Sequence, residues 1–401
     1  GGNSTDAARI CRLFCPMNIC GTWFKAPSAQ KIMRLLEGAG HQTYFVGGCV
    51  RNDLLGREVK DIDIATAAPP ETIMALAKEA GIQAVPTGIK HGTVILIVDS
   101  QSYVITTFRR DLLTDGRHAK VAFSSDLKED AQRRDFTMNA LYATADGTIL
   151  DPLSGLEDLR AGRVRFINDA DQRIKEDYLR ILRYFRFSAW YGALSEGFDP
   201  EALAAIAANL DGLNQLSKER IGAEMIKLLS APDPSPSIAA MRATGVLNNI
   251  LEGADDRLLS LFVHLEISNG LSPDPIGRLA VLGGQDVKHQ LRLANLQAKT
   301  FDILRECMSN TMPPHELGYR YGQHIAQMSI ALRAAVFETP IVSSDLEAAI
   351  QGASAQFPLT GQDLTDRFEG VELGRVLKDC EAQWIASGFK LGKDDLLRLH
   401  R

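Results

Sequence analysis

The chain has no apolar run close to the roughly 20 residues that a membrane-spanning helix needs, so no segment of it reads as such a span. It also lacks an excess of positive charge. Lys and Arg number 44 against 50 Asp and Glu, a formal net charge of −6. A general electrostatic grip on RNA is therefore not expected, and any nucleic-acid contact has to come from a local cluster of Lys and Arg. Cysteine is sparse, with six residues at 11, 15, 20, 49, 307 and 380. The three near the N-terminus have no His or further Cys close by to complete a zinc site. Scattered, unpaired thiols fit a reduced, cytoplasmic protein. No internal repeat is visible. Residues 3–27 carry only a short, interrupted apolar run, which is no signal peptide. With Gly1-Gly2 at the start, residues 1–27 are read as an N-terminal extension or cloning remnant.

What is present is the composition of a soluble globular protein, 45% hydrophobic and 23% charged over 401 residues. That length predicts two or more domains rather than one core. Residues 28–152 alternate short strands and helices. Val94 to Val98 and Tyr103 to Thr107 are β-rich runs around Asp99-Ser100-Gln101-Ser102, a hairpin signal. A polar loop from Arg109 to Lys120 is expected after them. From about Ala170 helical periodicity takes over, and Pro232, Pro234 and Pro236 interrupt it at a junction. The pattern predicts an α+β chain, with a small α/β head followed by a long all-helical remainder.

Within the head, Tyr44-Phe45-Val46 reads as a strand and Val50 to Leu55 as a short helix ended by Gly56. Between them stands Gly47-Gly48-Cys49-Val50-Arg51. Two glycines at a strand-to-helix turn admit a ligand close to the backbone. The helix start offers free N–H groups to an anion, and Arg51 adds a bidentate phosphate contact. Taken alone, such a run is as readily a tight turn with a solvent-facing arginine. Ten residues after Arg51 comes Asp61-Ile62-Asp63. Alternate residues of a strand share a face, so both carboxylates point one way while Ile62 and Ile64 point to a core. Adjacent carboxylates repel unless a cation lies between them, and hard oxygen ligands with room for water and phosphate suit Mg²⁺. The plainer alternative is a solvated pair at a strand edge, although aspartate is a poor strand residue. A triphosphate turn beside a metal pair points to nucleotidyl transfer.

Two helical groups follow. Arg134, Asp135 and Asn139 are expected on one helix, with Asp135 and Asn139 one turn apart, Phe136 and Ala140 packed inward, and Arg134 free to meet phosphate or ribose. Asp177 and Arg180 are expected side by side on another helix. An ionised carboxylate only accepts hydrogen bonds and a guanidinium only donates. Cytosine and adenine each present an amino donor beside a ring-nitrogen acceptor, whereas guanine and uracil present a carbonyl beside a ring N–H. One Asp–Arg pair can therefore accept C and A and reject G and U. Otherwise it is a surface ion pair worth ~0.3–0.5 kcal/mol. Arg183 and Arg186 continue the stripe at steps of three, and Tyr184, Phe185 and Phe187 are assigned to the core.

The ordered set Gly47-Gly48-x-x-Arg51, Asp61-x-Asp63, Arg133-Arg134-Asp135-Phe136-Thr137-x-Asn139-Ala140 and Glu176-Asp177-x-Leu179-Arg180-x-x-Arg183 resembles the class II (bacterial-type) family of tRNA nucleotidyltransferases and poly(A) polymerases, most of all its CCA-adding members. The likeness covers about residues 28–230, and Leu359-Thr360-Gly361-Gln362-Asp363-Leu364 extends it more weakly. The resemblance implies a polymerase-beta-like head with a mixed sheet over 28–152, a neck with a base-recognition helix over 153–230, and a helical, RNA-binding body and tail over 231–401. It implies addition of C, C and A to tRNA 3′ ends from CTP and ATP, with release of pyrophosphate. Asp61 and Asp63 would be the catalytic carboxylates and would hold two Mg²⁺. Gly47, Gly48, Arg51, Arg134, Asp135, Asn139, Asp177, Arg180, Arg183 and Arg186 would form the nucleotide site. Such chemistry rests on positioning and electrostatics, without a covalent protein intermediate.

Other readings stay open. One is a poly(A) polymerase of the same family, although the basic run that marks those enzymes is absent at Gly88-Ile-Lys-His-Gly92. A CC-only enzyme would lack the loop kept here as Thr114-Asp115-Gly116-Arg117-His118. A catalytically weakened RNA-binding relative is suggested by two departures. Asn52 stands where the family usually has Asp, with Asp53 next to it. Val104 stands where the family usually carries Glu, a third carboxylate near the metals, for which Asp111 is a nearby acid that could substitute.

Overall fold

The structure, a computed structural model, describes residues 18–113 and 120–399, without the side chains of residues 111–113 and 120. Cys11, Cys15, the loop from Thr114 to His118 and the Asp111 side chain lie outside the described residues. The chain divides into two compact units, one formed by residues up to Glu224 with Ala240–Asn249, the other by Met225–Ala239 and the chain from Ile250 onward.

The first unit is organised by strands β1 (Thr43–Val46), β2 (Ile62–Thr66), β3 (Gln83–Gly88), β4 (Thr93–Val98), β5 (Gln101–Thr107), β6 (Arg109–Leu113), β7 (Lys120–Phe123), β8 (Tyr142–Ala143) and β9 (Ile149–Leu150). Seven of them form one sheet in the order β3-β4-β5-β2-β1-β8-β9. Only β2 and β5 run parallel, so the sheet is mixed, as expected. β4 and β5 are joined at Asp99 and Ser100, both with positive φ (50° and 64°). That backbone twist matches the twist of the flanking strands. The polar stretch expected as a loop after Arg109 is instead a ribbon of β6 and β7, held by main-chain pairing of Arg109 with Phe123 and Arg110 with Ala122. Polarity of the side chains did not reveal those bonds.

The helices of this unit include α1 (Pro27–Gly38), α2 (Gly48–Leu54), α3 (Pro70–Glu79), α4 (Leu127–Gln132), α5 (Gly155–Ala161), α6 (Ala170–Glu176), α7 (Leu179–Tyr191), α8 (Pro200–Ala208) and the start of α9 (Lys218–Leu229). In α1, Ala29, Ile32, Met33 and Leu36 recur at helical spacing and are buried. Each large one contributes ~1.5–3 kcal/mol by leaving water. Residues 18–26, set aside above with the extension, are tied into this unit. The Cys20 and Gly21 amides and Trp23 Nε1 donate to the Asp53 carboxylate at 2.8, 2.7 and 2.7 Å. Ile19 N donates to the Gly147 carbonyl at 2.9 Å, and the Trp23 ring meets Phe24 and Phe45 edge-on. Asp53 is thereby committed to the N-terminal segment and does not stand in for an acid at position 52.

The second unit is helical over its described residues, including Leu259–Ser268, Pro275–Leu282, Asn295–Ser309, Pro314–Phe337, Ser343–Ser354 and Gly370–Ala386. A fully buried ion pair joins Arg278 Nε to Glu266 at 2.8 Å. Arg278 also donates to the carbonyls of Leu229, Ala231 and Pro232, at the proline junction seen in the sequence. The helix Pro314–Phe337 is broken at Gly322, where φ is 80°. Two residues later, His324 Nε2 lies 2.7 Å from Asp274 Oδ2, while Asp274 Oδ1 caps the helix Pro275–Leu282 through Ile276 N. No helix among the described residues is long and apolar enough to cross a membrane.

Candidate active site

β1 turns into α2 through Gly47, whose φ of 71° and ψ of −119° strain any residue with a side chain. A Cβ at Gly48 would make only an ordinary contact with Arg51 Nη2, at 3.7 Å. The fold thus demands the first glycine, and the second leaves bare backbone beside the cleft. Cys49 is buried behind the turn, and burial pushes its thiol pKa up to about 12, which makes it no nucleophile.

Asp63 lies within β2, half-buried, with Ile62 and Ile64 buried behind it. Asp61 precedes the strand by one residue and is exposed. Burial raises the Asp63 pKa; Arg134 opposes the rise and the Asp61 charge adds to it. Asp63 pairs in register with Val104, so the two share the open side of the sheet while Tyr103 and Ile105 are buried. Among the described residues there is no group of three or more His, Cys, Asp or Glu that could hold a metal ion.

Arg134, Asp135 and Asn139 do not share a helix. α4 ends at Gln132, and Thr137–Asn139 form a single 3₁₀ turn after an extended Phe136. The Asp135 side chain explains the break. Its Oδ1 accepts from Phe136 N at 2.9 Å and from Asn139 Nδ2 at 2.8 Å, local bonds that compete with helix formation. Its Oδ2 accepts from Arg183 Nε at 2.8 Å. Burial pushes the Asp135 pKa up, but Arg183 and the Asn139 amide outweigh burial and hold it at about 2. Asn139 Oδ1 in turn accepts from Arg51. A bridge Arg183–Asp135–Asn139–Arg51 therefore runs from α7 to α2. Phe136 and Ala140 are buried, as expected.

Asp177 and Arg180 are also not on one helix. Asp177 follows α6 with φ −154° and ψ 107°, and its Oδ1 accepts from Leu179 N at 3.1 Å, ahead of α7. Such a cap needs non-helical backbone, which is why the aspartate sits outside the helix. Its carboxylate is gripped by Arg220. Arg180 instead donates to Glu176 at 2.6 Å and to the Arg173 carbonyl at 2.8 Å. Arg186 pairs with Glu224 at 2.6 Å. Tyr184, Phe185 and Phe187 are buried.

These elements enclose a cleft of about 600 Å³. Gly47, Gly48, Arg51, Asp63, Arg134, Asp135, Asn139, Asp177, Arg180 and Arg183 all line it; Asp61 and Arg186 do not. Arg109, Arg133, Phe187 and Arg220 line it too and were missed in the sequence. So was Asp130, which pairs with Arg133 at 2.7 Å and Arg134 at 3.0 Å and accepts from the Tyr142 hydroxyl at 2.7 Å. Burial raises the Asp130 pKa, but the two arginines prevail and hold it at about 2. An acid three and four residues before paired arginines was a readable signal for Asp130. Arg220 and Glu224 lie some 40 residues from their partners and gave none. The lining holds seven arginines and three aspartates, a net charge of +4.

A mixed sheet that sets acidic residues beside a glycine turn and a cationic cleft defines a nucleotidyltransferase. Residues 43–165 match the family described as Poly A polymerase head domain, and residues 197–258 the one described as probable RNA and SrmB-binding site of polymerase A. The mitochondrial CCA tRNA nucleotidyltransferase 1 of Mus musculus is 34% identical over 386 residues, covering 92% of this chain and 88% of the relative. The CCA-adding enzyme of Bacillus pumilus is 33% identical over 381 residues, covering 92% of each. The crystal structure of Bacillus stearothermophilus CCA-adding enzyme in complex with CTP aligns with a TM-score of 0.72 at 27% identity, over 90% of this chain and 92% of that one. The chain belongs to the CCA-adding tRNA nucleotidyltransferase family.

Proposed function

We propose that this enzyme adds C, C and A to the 3′ end of tRNA from CTP and ATP and releases pyrophosphate. The observation that carries the reading is the cleft itself. Its net charge of +4, with Asp63 and Asp177 both on its wall, suits a polyanionic triphosphate that must be met at one end by a metal and at the other by a base reader.

Asp61 and Asp63 fit a hard divalent cation such as Mg²⁺. The Asp63 carboxyl gains protons more readily because of burial and its acidic neighbour, a strain that a cation relieves. Two protein carboxylates leave coordination positions for phosphate and water. A pair of Mg²⁺ ions held there would supply an activated 3′-hydroxyl and charge neutralisation on the departing pyrophosphate. Arg51 and Arg134 hold the triphosphate, because guanidinium forks match phosphate oxygens. Asp135, Asn139 and Arg183 set the position of those groups. Arg186 acts from behind, through Phe187. Asp177 and Arg180 read the base. A carboxylate offers about four acceptor sites. Leu179 N uses one and the two contacts to Arg220 use two more, which leaves one for an exocyclic amino group. The tRNA lies along the helical part of the chain. A cytoplasmic location rests on the free thiols of Cys20, Cys49, Cys307 and Cys380 alone; the mouse relative is mitochondrial by name.

The test is to offer purified protein a tRNA lacking its 3′ end, with each nucleoside triphosphate singly and together, and to sequence the product. The expected product gains CCA with CTP plus ATP and nothing from UTP or GTP. A run of A would assign poly(A) synthesis, and tRNA retention without addition would assign the RNA-binding relative.

A further inference from the structure

Arg51 reaches the cleft without a carboxylate hydrogen-bonded to it. Its hydrogen-bond acceptors among the described residues are Asn139 Oδ1, Asn52 Oδ1 at 3.0 and 3.2 Å, and the Tyr191 hydroxyl at 2.8 Å, all neutral. Tyr191 is the last residue of α7, and its hydroxyl also approaches Asn52 Oδ1 at 3.5 Å, which closes a triangle with Arg51. The ring is caught between two guanidiniums. Arg51 lies 4.1 Å and Arg57 4.8 Å from its centroid. Arg57 also donates to the Trp190 carbonyl at 2.7 Å, a favourable place for a cation at a helix C-terminus.

One turn earlier on α7, the Phe187 ring stands 5.4 Å from Tyr191. Arg51, Arg183 and Arg186 lie 5.2, 5.2 and 4.6 Å from its centroid. Two rings one turn apart thus space four guanidiniums that would otherwise repel, each ring face offering its negative quadrupole. Phe187 is buried and packs as core. Tyr191 is half-buried and makes polar as well as stacking contacts with the head arginine.

We propose that Tyr191 is a positioning residue for the triphosphate of the incoming nucleotide. Its ring and hydroxyl fix the pose of Arg51, and Arg57 locks Tyr191 from the far side. A guanidinium hydrogen-bonded only to neutral acceptors, with Asp135 one link removed behind Asn139, is not committed to a carboxylate when an anion arrives, and its side-chain entropy is lost beforehand. The inference rests on the nucleotide reading of the cleft. It also separates two tasks along one helix. Base choice belongs to Asp177 just before α7, whereas phosphate grip is set from its C-terminal end. Loosening Tyr191 therefore weakens CTP and ATP alike and leaves base choice unchanged.

The experiment compares the unaltered protein with Tyr191→Phe, Tyr191→Leu and Arg57→Ala in primed addition to a tRNA lacking its 3′ end. KM for CTP, KM for ATP, KM for tRNA and the UTP-to-CTP incorporation ratio are measured, with melting temperature as a control on folding. In Tyr191→Leu both nucleotide KM values should rise by about three- to tenfold, the change expected from freeing one side chain. Tyr191→Phe keeps the ring and should recover part of the loss; Arg57→Ala should give a smaller rise of the same kind. KM for tRNA and the incorporation ratio should not move. Nucleotide KM values unchanged in Tyr191→Leu and Arg57→Ala would overturn the inference, as would a rise shared equally by tRNA. If Tyr191→Leu does not fold, Tyr191→Phe and the exposed Arg57 decide by the same readouts. No addition by the unaltered protein would instead overturn the functional reading on which the inference stands.

Discussion

Arg220 holds Asp177 by both carboxylate oxygens, its Nη2 lying 3.1 Å from Oδ1 and 2.8 Å from Oδ2. The two are 43 residues apart. The group proposed to read the base is therefore aimed by a remote arginine in α9, not by the neighbour three positions along.

Asp177→Ala should erode base choice more than triphosphate binding. It removes the acceptor proposed for the amino group of C and A, and a site built on hydrogen bonds rejects strongly any base that leaves its groups unpaired. The ratio of UTP and GTP to CTP and ATP in kcat/KM should rise by about tenfold or more. Arg220→Ala should shift the ratio the same way by less, because the carboxylate remains but loses its orientation. An unchanged ratio in both variants would reduce the pair to a structural tie.

Asp63→Asn should lower nucleotide addition by about 10²–10³ or more, the usual cost of losing one electrostatic group aimed at the reacting centre. The fold and tRNA binding should persist, since the side chain faces the cleft and not the core. Gel retardation of tRNA next to a single-turnover addition assay separates the two. Near-normal turnover with Mg²⁺ would remove Asp63 from the metal site.

Val104 shares the open side of the sheet with Asp63. A glutamate there would bring a third carboxylate toward the metals, so Val104→Glu should lower the Mg²⁺ concentration for half-maximal rate or raise the rate itself. Magnesium titrations of both proteins on one tRNA give the answer. If only the variant adds nucleotide, the natural protein is the weakened RNA-binding relative. If neither curve changes, residue 104 does not act on the metals.

The His324–Asp274 pair should make stability depend on pH. The hydrogen bond to Asp274 raises the His324 pKa above its ordinary value of 6.5, with burial opposing. A raised folded-state pKa stabilises fully below the unfolded value and is lost as pH rises through the folded one. Asp274 is shifted the other way: burial pushes its pKa up, but the His324 bond together with the Ile276 amide outweighs burial and holds it below 3.8. Its contribution is therefore present above 3.8 and is lost as pH falls. The pair should stabilise most between about pH 4 and 6.5. Melting temperatures of the protein and of His324→Gln should differ most in that window and converge toward pH 9. His324 is more than half exposed, so the difference should stay near ~1 kcal/mol or below.

Much of the head was legible because its signals are local. Two β-rich runs around a hairpin signal gave β4 and β5, and the glycine pair with Asp61-x-Asp63 gave the turn and the strand of Asp63, although Asp61 falls just before that strand and not on its face. Apolar character alone gave the burial of Phe136, Tyr184 and Phe185. The two misplaced aspartates share one cause. Asp135 and Asp177 were read as helix-surface residues, yet both side chains bond nearby backbone amides and stop the helix they were placed on. Short polar side chains compete with helical backbone bonding in this way, and a count of spacings does not register it. The partners that aim the cleft, Arg220, Glu224 and Tyr191, were hidden for a different reason. Their contacts span 38 to 140 residues, and nothing in the intervening sequence marks them.

The segment from Asn18 to Trp23 leaves the ribosome early and finds Asp53 soon after, but its other partners, and one partner of α1, come late. Ile19 waits for Gly147, Gln30 for Ala145, and Asn18 for its bridge to Thr148. A nascent chain that ends before these residues has an unsealed sheet edge and an α1 without part of its anchorage. Sealing this edge of the sheet thus falls after β8 has been made, more than a hundred positions after the segment it ties down. Any fragment meant to keep the cleft has to include Asn18 to Trp23, which anchor Asp53 behind the glycine turn, and run beyond Arg220, which holds Asp177.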